Sequence, residues 1–241
     1  MPDAPLRLFC FPHAGGGAGF FRPWRLALQP DVEVCAVVLP GREGRLRETP
    51  YVRMTHLLGP LTEALADHID RPYAILGHST GAAVGFEAAR RLSVLASAPR
   101  CLVVSGRRAP GPPEAVPRYL LPDEQFLDQV AALGGTPPEL LARPDLLDLF
   151  LPSLRADFEL NETYAQLPGD PLPCPVVAMA GEDDPEVSAE QMVAWRRFGT
   201  GPFALHVFPG DHFFLSGAPA AAVRVVRAAL AGTAVAGAGR V

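Results

Sequence analysis

Short apolar runs alternate with amphipathic stretches along most of the chain. Leu6–Phe11 and Val34–Leu39 read as strands, the second ending at Pro40-Gly41. Residues 54–69 carry Leu57, Leu58, Leu61, Leu65 and Ile69 at helical spacing. Ala74–Leu76 reads as a strand, 80–96 as a helix and Leu102–Ser105 as a strand. Val176–Ala180 and Leu205–Phe208 are later strands, and 219–231 is a closing helix. Strands apolar on both faces, alternating with helices, predict a parallel sheet covered on both sides.

The rhythm breaks between residues 107 and 169. A Pro-rich loop, Ala109-Pro110-Gly111-Pro112-Pro113, leads into helical pieces at 123–133, 137–142, 144–150 and 152–164, with no strand among them. The gap is too long for a simple crossover between two strands. It predicts an α/β core at 1–106 and 170–231 with a helical lid insertion at 107–169, above the sheet edge where open α/β folds bind ligands. The low-complexity tail at 232–241 reads as disordered.

Bulk properties narrow the function. The chain has 241 residues, enough for one domain with an insertion. All 21 basic residues are Arg, and the net charge of −5 argues against a general nucleic-acid binder. No run reaches membrane-span length, and Met1–Leu6 has no secretory leader pattern, so the expected setting is cytoplasmic, with no membrane partner. Cys10, Cys35, Cys101 and Cys174 share no metal-ligand spacing, so buried free thiols are expected and no metal site.

The chemistry centres on Gly77-His78-Ser79-Thr80-Gly81, between the strand ending at Leu76 and the helix beginning near Thr80. G-x-S-x-G in a strand–turn–helix setting is a nucleophile elbow: the glycines permit a turn sharp enough to expose Ser79 above the sheet. A serine hydroxyl needs a base and a group to orient that base. In this fold class they follow in the order acid, then histidine. Gly181-Glu182-Asp183-Asp184-Pro185 follows one late strand, and Pro209-Gly210-Asp211-His212-Phe213-Phe214 follows the next. His212 is the expected base. Asp184, held extended by Pro185, is favoured over Asp183 as the acid. His78 is a poor base for Ser79, because adjacent elbow residues point apart. The glycine-rich loop Pro12-His13-Ala14-Gly15-Gly16-Gly17 follows the first strand and resembles an oxyanion loop. The backbone N–H groups of Ala14 and Thr80 are the expected oxyanion donors. His13 and Phe213 are expected to contact substrate. A phosphate cradle is the alternative for the glycines, but neither phosphate-loop fingerprint is present.

Taken together, these segments resemble the type II thioesterases of polyketide and nonribosomal peptide assembly lines. The resemblance runs from about Leu8 to Leu230. It is carried by Cys10–Gly16, Leu39-Pro40-Gly41-Arg42-Glu43, Gly77-His78-Ser79, Leu154-Arg155-Ala156-Asp157-Phe158 and Phe208–Leu215. It implies an α/β-hydrolase fold and a monomer that hydrolyses acyl thioesters on the phosphopantetheine arm of acyl or peptidyl carrier proteins. It implies no cofactor, since the phosphopantetheine belongs to the substrate. It also supports Asp184 as the acid. Two positions depart from the family pattern: Thr80, where Met is common, and Asp211, where Gly is common. Arg42, Arg45, Arg47, Arg107 and Arg108 lie in segments near the expected mouth and are candidates for a carrier-docking patch. An acyltransferase or general esterase on the same scaffold, and a non-catalytic binding module, are the competing readings.

Overall fold

The computed structural model describes residues 4–112, 116–134, 143–232 and 237–240. Its strands are β1 (Leu6–Phe11), β2 (Val32–Ala36), β3 (Tyr73–His78), β4 (Leu102–Ser105), β5 (Val176–Gly181), β6 (Phe203–Phe208) and β7 (Gly237–Arg240). They form one sheet in the order β2-β1-β3-β4-β5-β6-β7, with every neighbouring pair parallel. The α-helices are α1 (Arg22–Ala27), α2 (Met54–Ala66), α3 (Thr80–Leu95), α4 (Asp123–Ala132), α5 (Pro144–Glu162), α6 (Ala189–Met192) and α7 (Ala220–Leu230).

The central strands look apolar throughout because they supply two cores. Phe9, Phe11, Tyr73, Ile75, Leu102, Val104, Val176 and Ala178 pack on one face, with α2 and α3. Leu8, Cys10, Ala74, Leu76, Val103, Val177 and Met179 pack on the other, with Trp24 of α1 and the apolar stripe of α7. The alternation is the period-2 pleat, and helices on both faces bury β3, β4 and β5 throughout, while β2 towards the edge is only half-buried over most of its length.

Between β4 and β5 no further strand forms among the described residues. The expected pieces at 144–150 and 152–164 are instead one helix, α5, which runs through Pro152. A proline removes one helical hydrogen bond and crowds the preceding turn. Here the residues after it are anchored from outside the helix: the Arg155 guanidinium donates to the carbonyls of Tyr119 and Leu121, and Asp157 pairs with Arg42. Tertiary contacts override the local preference. The expected helix at 137–142 lies outside the described residues.

The tail also differs from expectation. Residues 237–240 add a seventh, parallel strand on β6, where a disordered segment was expected. A composition dominated by Gly and Ala offers few side chains to a core. A sheet edge needs only backbone partners, and Gly237, Ala238 and Gly239 bring no bulk to the pairing. Truncation after Gly232 is therefore expected to speed amide hydrogen exchange in residues 204–207 of β6. Exchange equal in the two proteins would show that the pairing does not form in solution.

Candidate active site

Six loops leave the C-terminal ends of β1 to β6 on one side of the sheet, and the candidate residues lie on them. Ser79 joins β3 to α3 with φ 54° and ψ −124°, a conformation few non-glycine residues adopt. It is held from both sides: Ser79 N donates to Ser105 O (2.8 Å), and Ala82 N donates to Ser79 O (2.9 Å). The helix behind it packs close. A Cβ on Gly81 would stand 2.2 Å from the Phe11 carbonyl oxygen, so only glycine lets α3 meet the end of β1.

Asp184 and His212 are joined. His212 Nδ1 lies 2.9 Å from Asp184 Oδ2 and 3.0 Å from Oδ1, and both side chains are buried. Asp184 Oδ1 also accepts from Glu186 N (2.8 Å). Asp183 and Glu182 are exposed, so among the three acidic neighbours Asp184 is the one placed against the imidazole. A carboxylate on Nδ1 fixes the ring's tautomer and leaves Nε2 to accept a proton.

The loop after β1 makes a tight turn in which Gly16 N donates to His13 O (2.9 Å) and Gly15 takes φ +73°. Gly15 N donates to Asp157 Oδ2 (2.7 Å), and Arg42 donates to Gly16 O (3.1 Å). These hydrogen bonds leave the Ala14 N–H outside their set. Arg42 meets Asp157 in a two-pronged pair (2.8 and 2.7 Å), each side chain about 5% exposed. This corrects one expectation. Arg42 is not a docking arginine; its guanidinium is consumed inside the protein. The segments around Arg42 and Asp157 were visible as sequence motifs, but nothing in them signalled that the two side chains meet.

His13, Ala14, Ser79, Thr80, His212 and Phe213 line one cavity of about 180 Å³. Its far wall is apolar, from α4 and α5: Leu127, Val130, Phe150, Leu151, Leu154 and Phe158. Arg118 and Glu186 add a polar edge, and they are ion-paired to each other (2.9 Å). A larger void of about 480 Å³ lies beside β2 and α2; it touches none of the candidate catalytic, oxyanion or substrate-contacting residues, and among its lining is the docking candidate Arg45.

Three imidazoles crowd this site. His78 lies 5.1 Å from His212 and 6.0 Å from His13, ring centre to ring centre, and Phe20 stacks on it. Its Nδ1 shares a hydrogen bond with Ser105 Oγ (3.1 Å), so this ring is directed away from the role of base. Burial, followed by the neighbouring histidines, pushes the His78 pKa well below the ordinary range. Burial, then His212 and Arg42, hold that of His13 down to about 4. Both rings are neutral near pH 7.

The family model described as "Thioesterase domain" matches residues 6–230. The chain belongs to the thioesterase family. The gramicidin S biosynthesis protein GrsT of Aneurinibacillus migulanus is 41% identical over 214 residues, 88% of this thioesterase and 84% of GrsT. Among solved structures, RedJ, a thioesterase from the prodiginine pathway of Streptomyces coelicolor, superposes with a TM-score of 0.86 at 38% identity. The match covers 95% of this chain and 86% of RedJ. The type II thioesterase BorB from the borrelidin cluster superposes at 0.87 with 36% identity, covering 95% and 94%. The thioesterase thus has the α/β-hydrolase fold and is a thioester hydrolase.

The lowered histidine pKa sets a sign for acid stability. Between about pH 6.5 and pH 4 the unfolded chain holds a proton on His13 that the folded thioesterase does not. Stability therefore falls as the pH drops through that window. His13→Gln is expected to flatten this part of the stability profile by up to one proton, measured by urea unfolding at several pH values. An unchanged slope would contradict the assignment.

Proposed function

We propose that this thioesterase removes acyl groups from the phosphopantetheine arm of acyl or peptidyl carrier proteins, as an editing enzyme of type II in secondary-metabolite biosynthesis. The observation that carries the reading is the buried Asp184–His212 contact in one cavity with Ser79, behind a wall of apolar side chains. The helices α4 and α5 of the insertion at 107–169, which form the apolar wall, act as the lid over this cavity. The names of GrsT, RedJ and BorB, each tied to a biosynthetic pathway, support the choice of substrate. Carrier-bound substrates of this kind place the work in the cytoplasm.

Ser79 Oγ attacks the thioester carbonyl while His212 Nε2 takes its proton, and Asp184 steadies the resulting imidazolium. The Ala14 and Thr80 amides donate to the oxyanion. His212 returns the proton to the leaving pantetheine thiolate. It then activates water against the acyl-enzyme, which releases the free acid. His13 and Phe213, in edge contact with ring centres 4.9 Å apart, line the cavity and are the side chains proposed to contact the substrate. Every step uses this chain's own side chains and amides, so the mechanism calls for no cofactor. Of the arginines expected to dock an acidic carrier, Arg47 and Arg108 are exposed and are retained as candidates, whereas Arg45 is paired with Glu48 and Arg107 is half-buried against Asn161.

Thr80 is buried, and it borders both the main cavity and a void of about 10 Å³ shared with Leu39, Arg42, Val84 and Asp157. A larger side chain there takes volume from the acyl site.

On an acyl-carrier substrate, Ser79→Ala is expected to lower kcat by at least about 10³-fold. Reaction of the parent with a fluorophosphonate is expected to label Ser79. A preference for oxygen esters over acyl-carrier thioesters would favour the general esterase, and transfer to an alcohol or amine in preference to water would favour the acyltransferase. Thr80→Met is expected to cut kcat/KM for long acyl groups about tenfold relative to acetyl, in line with the energy of one or two methylenes in a pocket. An acyl panel with identical profiles for parent and variant would contradict this.

A further inference from the structure

We infer that Asp157, on helix α5, is a positioning residue for the oxyanion hole: it fixes the loop bearing the Ala14 amide, and Arg42 cancels its charge so that it can do so. The inference rests on the proposed nucleophile and oxyanion assignments and adds what holds them in place.

The backbone shows how. The Ala14 N–H belongs to the peptide joining His13 to Ala14. The carbonyl of that same peptide accepts from Gly16 N (2.9 Å), so its plane depends on where residues 15 and 16 sit. Gly15 N is fixed by Asp157 Oδ2 (2.7 Å) and Gly16 O by Arg42 (3.1 Å). Thus the amide on either side of the donor peptide's turn is anchored by one ion pair. Two contacts from the same side of the molecule reinforce it. The Ala14 side chain packs against the apolar cluster of Phe126, Val130 and Phe158. A Cβ on Gly15 would fall 2.8 Å from Leu154 Cδ1, so α5 lies directly on the loop. The oxyanion loop is therefore shaped by the helical segment above the sheet, and not by β1 alone.

The charge arrangement follows from the same role. A backbone N–H in a buried turn is held most firmly by an ionised acceptor. A bare carboxylate beside an oxyanion site would oppose the charge that develops in the transition state. The Arg42 guanidinium, matched to both carboxylate oxygens, leaves the acceptor strong and the pair neutral. Arg42 Nε is buried and has no hydrogen-bond partner among the described residues, so the guanidinium is committed to Asp157 and the loop at the expense of its own full pairing.

The test compares kcat, KM and inhibition by an alkyl trifluoromethyl ketone, whose adduct with Ser79 carries an oxyanion. The substrate is an acyl-pantetheine thioester, and rates are expressed per folded protein, judged by a cooperative thermal transition. Asp157→Ala is expected to lower kcat about 10- to 100-fold, the scale of a misplaced reacting group, with KM changed less than threefold. Affinity for the ketone should fall by the same factor as kcat/KM. Asp157→Asn keeps an oxygen for Gly15 N and should recover part of the loss; it also carries the test if the alanine variant does not fold. Glu159→Gln, which weakens the half-buried ion pair that Glu159 of the same helix makes with Arg53, should leave all three quantities within threefold. Asp157 variants that keep full kcat, or that lose kcat while the ketone binds as tightly as before, would overturn the inference. A parent enzyme that resists the ketone would instead overturn the nucleophile and oxyanion assignments, and this inference with them.

Discussion

The end of β1 and the start of α3 touch at Gly81, where the Phe11 carbonyl leaves no space for even a methyl group. That contact brings the loop after β1 beside the turn at Ser79, and the rest of the site is arranged around the pair. It is possible because α3 begins with Thr80-Gly81-Ala82-Ala83, all buried, so that the helix sits low on the sheet. The unusual backbone at Ser79 is sustained by neighbouring strands: Ser105 O at the end of β4 holds its amide. Such strain persists only where the surroundings over-determine it.

A second constraint ties the helical segment to this core. Arg42 comes from the loop after β2, Asp157 from α5 and Gly15 from the loop after β1, and the three meet within hydrogen-bonding distance. Removing one partner of such a buried pair costs about 3–5 kcal/mol, because the other charge is left stranded. The pair thus fastens α5 and the first loop together, whatever else moves around the cavity. Arg155 and Arg118 on the same side secure further parts of the segment. Arg155 caps the carbonyls of Tyr119 and Leu121, and Arg118 bridges Glu162 and Glu186. An all-arginine cation set suits these roles, since a planar fork serves several acceptors at once.

The electrostatics of the cavity are quiet for a site with three histidines. His13 and His78 are held neutral by burial, so their rings act as polarisable walls beside His212 and do not compete with it for protons. Asp157 is neutralised by Arg42. The carboxylate left facing an imidazole is Asp184, at Nδ1 of His212. The charges that change in the proposed reaction are then those on Ser79, His212 and the substrate.

Much of this was legible in the chain alone, because it is encoded locally. The two-sided apolar strands required a covered parallel sheet, and the glycines of the Ser79 turn, the Asp184-Pro185 step and the His212 loop each follow a strand where the fold needs them. What failed was also local in origin. Pro152 reads as a helix break, yet α5 runs through it on the strength of anchors drawn from distant segments. The Gly/Ala tail reads as disorder, yet pairs through its backbone on β6. Arg42 reads as a surface cation until Asp157, 115 residues away, is brought against it. The amino-acid sequence by itself determined the candidate residues and the order of the elements that present them, because both follow from neighbours along the chain. Only the tertiary structure decided which of Asp183 and Asp184 faces the imidazole, and that α5 packs on the loop after β1 and holds its Gly15 amide. Those outcomes depend on side chains meeting across the sheet edge, and no spacing along the chain records that.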